Sequence, residues 1–160
     1  FVSPLKQAEY KDDARLCALN RTGTKAADFR FSDKNGKIHT LYSIKAEWIL
    51  LFFSNPGCKA CSDIIDYLKS SEVIQYLIRS GELAVLNIYI DEDLEAWKSY
   101  MPIYPENWYN GFDPDYVIRT DMLYHVRAIP SLYVLDKDKK VVMKDATEEN
   151  VFAFFGNFGI

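Results

Sequence analysis

Two cysteines placed where an apolar strand gives way to a helix constrain the fold of this chain more than any other feature. Cys58 and Cys61 form a C-x-x-C motif that follows the uninterrupted apolar run 48–53. Pro56 and Gly57 lie between the run and the motif, and these residue types allow a sharp turn that would present Cys58 at the surface. Helical spacing of apolar residues begins directly after the motif. The sequence therefore predicts a strand–turn–helix unit with the first cysteine at the turn.

The position of the two cysteines also indicates a chemistry. A thiol in the first turn of a helix faces unpaired backbone N–H groups and the positive end of the helix dipole. Both favour the thiolate, which is the nucleophilic form. Cys61, one turn further along, can close a disulfide with Cys58. Lys59 either adds a positive charge near both sulfurs or is simply an exposed helix residue. The motif is suited to thiol–disulfide exchange.

Composition limits the other classes of function. The chain has 160 residues, of which 49% are hydrophobic and 15% aromatic, as expected for one globular domain with a single core. Its net charge is −4 and it has no run of Lys or Arg, which argues against nucleic acid or an anionic membrane as a partner. The longest apolar stretch is the run 48–53, too short to span a bilayer. We expect no cofactor and no metal.

The N-terminal third predicts a helix and a hairpin. Residues 4–20 carry apolar side chains at helical spacing, so we assign residues 1–22 to an N-terminal helical extension and residues 23–160 to the main domain. Two short alternating runs flank an Asn35-Gly36 turn, which is a strong signal for a β-hairpin.

The rest of the chain predicts an α/β sheet. A strand–helix–strand unit implies parallel strands with a right-handed crossover, and a late hairpin adds antiparallel strands. We therefore expect a mixed sheet with helices on both faces. The predicted elements, in chain order, are strand 48–53, helix 59–80 with a break at Ser70-Ser71, strand 83–90, helix 94–100, an irregular region 101–115, helix 113–122, strands 131–135 and 140–144, and helix 147–155.

The irregular region 101–115 is rich in proline and aromatic residues, and a loop of this length in a compact domain is usually functional or a folded insertion. Its aromatic residues either line a substrate groove near Cys58 or form a satellite core. They are Tyr104, Trp108, Tyr109 and Phe112.

Three interpretations of the Cys58–Cys61 motif follow from the residues: a redox dithiol, half of a zinc site, or an accidental pair. A zinc site needs two further ligands at suitable spacing. The remaining candidates, Cys17, His39 and His125, are isolated in the sequence. The strand-to-helix setting favours the redox dithiol.

A second feature supports this interpretation. Pro130, preceded by Ile129, stands at the start of the predicted strand 131–135. Proline has no backbone N–H to donate to a neighbouring strand, so it is tolerated mainly at the first position of a strand or at an edge. It is either an ordinary trans proline or a cis proline in a tight turn.

Four segments, taken in this order, span about residues 23–145: 23–29, 33–37, the strand leading into Cys58 and Cys61, and 128–136. Together they resemble the thioredoxin fold, most closely the TlpA/ResA-like thiol–disulfide oxidoreductases. The resemblance implies a thioredoxin-like α/β fold with a central mixed sheet flanked by helices. The N-terminal helix and hairpin would extend this fold, and an insertion would lie near 92–122.

The resemblance also implies roles for single residues. Cys58 would be the attacking thiol and Cys61 the buried resolving thiol, and Pro130 would be a cis proline facing the pair. The backbone of Ile129 would hydrogen-bond an extended substrate segment, as in strand addition. Ile129, Pro130 and the two neighbours of Cys58, Gly57 and Lys59, are the candidate substrate-binding residues.

Several positions differ from the family's pattern. Gly57 stands where relatives usually have an aromatic residue. Phe52 stands where thioredoxin has a buried carboxylate, and neither Lys59 nor Ala60 is the Glu that ResA-type proteins place between the cysteines. No proton acceptor for Cys61 is therefore identified, and a water or a residue from the insertion could serve.

The resemblance implies reduction of partner disulfides rather than oxidation, because DsbA-like oxidants carry a His within the motif and an inserted helical domain. Two other classes share the fold. A peroxiredoxin expects Pro-x-x-x-Thr-x-x-Cys, whereas Leu51 and Asn55 occupy those places. A non-enzymatic binding module would hold its cysteines as a structural disulfide.

The expected partners are a disulfide-bearing protein substrate and an upstream electron donor. The chain opens at Phe1 without an initiating Met, so we expect that a targeting segment has been removed. The resemblance implies the bacterial periplasm or cell envelope, with membrane anchoring only through a segment preceding Phe1.

Overall fold

Two apolar strands form the centre of the sheet in the computed structural model, which describes residues 20–119, 123–124, 126 and 129–157. Strand β3 (Trp48–Phe53) runs parallel to β4 (Leu83–Tyr89), in register from Trp48–Leu83 to Phe53–Ile88. Every residue of β4 is buried, because both faces of the sheet are covered at this point. Both predicted central strands are confirmed.

Seven strands of the described chain form one mixed sheet in the order β2-β1-β5-β4-β3-β6-β7. Strands β3, β4 and β5 are parallel, and the remaining pairs are antiparallel. The predicted first hairpin and late hairpin are both present. The outer strands are β1 (Arg30–Ser32), β2 (Ile38–Thr40), β5 (Tyr109–Phe112), β6 (Ser131–Asp136) and β7 (Val141–Met143).

Four α-helices lie within the described ranges, and their ends follow local signals. The break predicted at Ser70-Ser71 is real, because the Ser71 side chain caps the second helix by accepting a hydrogen bond from the Ile74 amide. No helix in the described ranges is both long and apolar enough to cross a membrane. The helices are α1 (Lys59–Ser70), α2 (Glu72–Arg79), α3 (Leu94–Tyr100) and α4 (Glu148–Gly156), with 3-10 turns at Leu41–Ser43 and Met101–Ile103.

The two faces of the sheet are covered by different kinds of structure. The buried residues of all four described helices belong to one core cluster, together with Leu50 and Phe52 of β3. The opposite face, with Ile49, Leu51 and Phe53, is covered by the 3-10 turn at Leu41 and by irregular segments. Within the described residues the helices thus cover one face, and helices on the second face stay a prediction. We call the two sides the helix face and the loop face.

Two predictions for the insertion are wrong. The region 101–115 contains a strand, β5, which lies between β4 and β1. The predicted helix 113–122 is replaced over residues 113–119 by turns, since the Asp113 carboxylate accepts hydrogen bonds from the amides of Asp115 and Ile118. Such local bonds compete with helix formation.

Some predictions lie outside the described residues. These are the N-terminal helix 4–20 with Cys17, residues 120–122 of the predicted helix, and His125. The division into an extension 1–22 and a domain 23–160 stays a prediction.

Candidate active site

Cys58 lies at the beginning of α1, as the motif predicted. Strand β3 ends at Phe53, and Gly57 adopts a positive φ of 76° that turns the chain into the helix. Cys58 is the N-cap residue of α1, and its sulfur accepts a hydrogen bond from the Cys61 amide at 3.3 Å. Negative charge is stabilised at such a helix terminus.

The two thiols differ sharply in exposure. Both are free, but Cys58 is half-buried whereas Cys61 is 1% exposed. Burial raises the pKa of Cys61 to about 12, and its interaction with Cys58 acts in the same direction. Cys61 is therefore a neutral thiol at physiological pH, and its sulfur can act as a nucleophile only after it loses a proton.

Pro130 and the loop that leads to Cys58 lie at the same end of the central strands. Strands β3 and β6 are antiparallel with Phe53 opposite Ser131, so the end of β3 meets the start of β6. The Ile129–Pro130 peptide bond is cis. Ile129 is half-buried and packs against the core clusters of both faces. The substrate-binding roles of both residues stay predictions.

The two neighbours of Cys58 leave its surroundings open. Gly57 is exposed, and a Cβ atom added there would meet no atom within 4 Å. The Lys59 side chain is 87% exposed and forms an ion pair with Asp63 at 2.8 Å, which raises the pKa of Lys59. Lys59 therefore fits the description of an exposed helix residue whose charge is engaged along its own helix.

A buried polar network lies on the helix face and was not found from the sequence. The Ser54 hydroxyl donates to the Asn87 side-chain oxygen. The Asn87 amide donates to Asn110 at 3.1 Å, and the Asn110 amide donates to the Pro105 carbonyl at 2.9 Å. One signal could have revealed it, because Asn87 is the only polar residue within the apolar run 83–90.

Tyr104, Trp108 and Tyr109 all line one cleft, whose lining does not include Cys58, so a substrate groove near Cys58 stays a prediction. Tyr104 and Trp108 are buried in the core cluster that also contains Cys61. Tyr109 is 40% exposed, and the cleft, of about 640 Å³, lies between the first hairpin and the insertion. The cleft also contains His39, whose ring is paired with Asp33 at 2.9 Å. No group of three or more His, Cys, Asp or Glu in the described ranges could hold a metal ion.

Comparison with known proteins identifies the family of the chain. No protein-family model and no curated protein matches the chain. Among solved structures, a thioredoxin-like protein from Bacteroides caccae is 37% identical over 99% of this chain, with a TM-score of 0.94. The C-terminal domain of an uncharacterized protein from Bacteroides fragilis is 45% identical, and the match covers 86% of this chain and 98% of that one, with a TM-score of 0.82. The chain belongs to the thioredoxin-like family.

The thioredoxin-like fold extends to more distant structures. The thioredoxin domain of a thiol-disulfide oxidoreductase from Bacteroides vulgatus is 19% identical, with a TM-score of 0.73 and a match that covers 86% of this chain and 97% of that one. At this identity the match shows a shared fold. This thioredoxin-like chain spans 57% of the length of the Bacteroides caccae protein. The predicted central mixed sheet flanked by helices is confirmed.

Proposed function

We propose that this chain is a thiol–disulfide oxidoreductase of the TlpA/ResA-like type that reduces disulfides in partner proteins. One observation carries the proposal: a half-buried thiol caps a helix, and a second, fully buried thiol lies one turn later in a thioredoxin-like fold. An accessible attacking sulfur and a protected resolving sulfur are what two-step thiol–disulfide exchange requires.

The reaction proceeds through a mixed disulfide. The Cys58 thiolate attacks a partner disulfide and forms a bond to one partner sulfur, while the other partner sulfur leaves and takes up a proton. Cys61 then loses its proton and attacks Cys58, which releases the first partner sulfur as a thiol. Two electrons pass to the partner, and the chain retains a Cys58–Cys61 disulfide. An upstream dithiol donor must reduce this disulfide before the next cycle.

The open surroundings of Cys58 support a protein substrate. No side chain at position 57 covers the approach to the motif. The start of β6 lies next to the end of β3, which leads into the motif. An extended partner segment would bind the backbone of Ile129 beside Pro130, with Gly57 and Lys59 bordering it. We infer that the chain works in the bacterial periplasm or cell envelope, where such disulfide substrates occur.

The first test is the reduction potential of the Cys58–Cys61 pair in glutathione or dithiothreitol buffers. We expect a value near that of thioredoxin, about −270 mV, or somewhat lower. Cys61→Ser should trap a mixed disulfide with a partner through Cys58, and Cys58→Ser should not. Cys17→Ser keeps both sulfurs of the motif and is the matched control, which should behave like the native chain.

Two results would overturn the proposal. A pair that never forms a disulfide in these buffers cannot exchange with a partner. A potential far below about −300 mV, with no trapped partner in Cys61→Ser, would assign the pair to a structural disulfide in a binding module.

A further inference from the structure

The resolving thiol lies in a site without an evident charged partner, and the inference that follows rests on the proposed function. Phe52 is apolar and faces the same core cluster as Cys61. Two charged residues in the described ranges are buried, Asp113 and Lys139. Backbone amides already bind the Asp113 carboxylate, and Lys139 lies in the turn between β6 and β7. Neither is arranged to assist Cys61.

One buried hydroxyl on the helix face is uncommitted. Tyr104 is 3% exposed and belongs to the core cluster that contains Cys61. Its hydroxyl oxygen is buried and makes no hydrogen bond in this structure. Buried tyrosine hydroxyls nearly always have a partner, so an unpaired one at a reactive site calls for an explanation.

The segment that carries Tyr104 is attached to the helical turn that carries Cys61. The Tyr100 hydroxyl lies 3.4 Å from the hydroxyl of Ser62, the residue after Cys61. The rings of Tyr100 and Tyr104 pack edge to face with centroids 5.5 Å apart. These contacts connect the Tyr104 ring, through Tyr100, to the first turn of α1.

The electrostatics of Tyr104 also connect it with Cys61. Burial raises the pKa of Tyr104 to about 12. The Ser54 and Asn87 side chains act in the opposite direction, whereas charge on Cys61 raises the pKa of Tyr104 further. Tyr104 therefore keeps its proton at physiological pH, and a protonated hydroxyl can donate to a thiolate.

The polar network borders this hydroxyl on its other side. Asn87 pairs in register with Phe52, so it stands on the helix face one strand away from that apolar position. Its side-chain oxygen already accepts from Ser54, and its amide already donates to Asn110. The network thus borders the Tyr104 hydroxyl, and the Asn87 amide and oxygen are already paired within it.

We propose that the Tyr104 hydroxyl donates a hydrogen bond to the Cys61 sulfur as this sulfur loses its proton and attacks Cys58. Tyr104 keeps its own proton throughout. The Cys61 proton passes to water, the Cys61–Cys58 bond forms, the bond between Cys58 and the partner breaks, and the departing partner sulfur takes up a proton from water. Charge-assisted hydrogen bonds of this kind are among the stronger ones, particularly away from water.

The test separates the two chemical steps with 5,5′-dithiobis(2-nitrobenzoate) added in equimolar amount to the reduced chain. Attack by Cys58 releases the first thionitrobenzoate, and resolution by Cys61 releases the second. Tyr104→Phe removes one oxygen and keeps the ring. We expect the second release to slow about tenfold and its pH profile to move up by about one unit, because a thiolate hydrogen bond is lost. The first release should stay within about twofold.

Two controls accompany this measurement. Tyr76→Phe makes the same chemical change at an exposed position on α2 and should leave both releases unchanged. Cys61→Ser shows how much of the signal comes from Cys58 and Cys17 alone.

Three outcomes would overturn the proposed role of Tyr104. A second release with the same rate and pH profile in Tyr104→Phe as in the native chain would overturn the role of Tyr104. Equal slowing of both releases with a lower unfolding temperature would assign Tyr104 to packing and also overturn it. If the native chain itself gives no second release, the proposed function fails, and the inference fails with it.

Discussion

The helix face and the loop face of the sheet each bury an apolar cluster but use their polar side chains differently. On the helix face, the Ser54 hydroxyl donates to Asn87, and charge on Cys61 raises the pKa of Tyr104. On the loop face, Tyr124 donates to the Ala27 carbonyl at 2.6 Å, and Asn20 binds both the Ala27 amide and the Leu123 carbonyl.

The different use of polar side chains follows from the backbone of the segments that cover each face. Helices satisfy their own N–H and C=O groups, so the side chains beneath them are available for a site. Irregular segments leave backbone groups unpaired, and buried side chains must bind them. The face covered by helices holds the reactive thiols and binds one loop carbonyl, that of Pro105, whereas the polar groups of the other face mainly hold its loops in place.

The strongest test of this contrast is the protection of Cys61. Because only the thiolate reacts and the pKa of Cys61 is about 12, its alkylation by iodoacetamide should rise about tenfold per pH unit. The increase between pH 7 and pH 10 is then about a thousandfold. The measurement uses Cys58→Ser, with mass spectrometry to locate the label, and Cys61→Ser as the reference for the more accessible thiol. A rate that is already high and constant from pH 7 would show that the helix face does not protect this sulfur.

A smaller effect, on stability, is expected where β1 packs closely against Gly111 of β5. A Cβ atom at Gly111 would lie 2.6 Å from the Phe31 ring and 2.8 Å from the Ser32 carbonyl oxygen. Gly111→Ala should therefore lower the free energy of unfolding by about 1–3 kcal/mol, because backbone cannot move aside easily. Urea denaturation measures the change.

Gly156→Ala is the matched control for this substitution, since a Cβ there meets nothing within 4 Å at the end of α4. Its stability should be unchanged or slightly higher. Equal stability of the two variants would mean that β1 and β5 are not in such close contact.

The smallest effect concerns the hydroxyl that holds the loop face. Tyr124→Phe leaves the Ala27 carbonyl without its side-chain donor, and the free energy of unfolding should fall by about 1–2 kcal/mol. Tyr133→Phe is the control, because its ring packs on Tyr124 but its buried hydroxyl has no partner, so the loss should be near zero. Neither variant should change the alkylation rate of Cys61. A change in that rate would show that the two faces are coupled through the sheet.

Local signals predicted much of this fold. The Asn35-Gly36 turn forms the first hairpin, with Gly36 at a φ of 81°, because glycine accepts that conformation without strain. Ser71 separates α1 from α2 because its short side chain can cap a helix. Uninterrupted apolar runs became the two buried central strands.

The insertion could not be predicted in the same way. Asn and Gly are unfavourable in strands, yet Asn110 and Gly111 lie in β5 because β4 and β1 supply partners on both sides. Asn110 is also held by Asn87, and Gly111 provides the room that β1 needs. Both reasons depend on residues distant in the sequence.

The sequence by itself determined that Cys58 begins a helix and that Cys61 follows one turn later, because an apolar strand, a Pro-Gly turn and a helical pattern act over a few residues. Only the tertiary structure decided that Cys61 is fully buried and that Tyr104 belongs to the same core cluster. Burial and long-range polar contacts arise only when β4, β5 and α3 form one core with α1. Local sequence does not determine which distant side chains will pack beside Cys61.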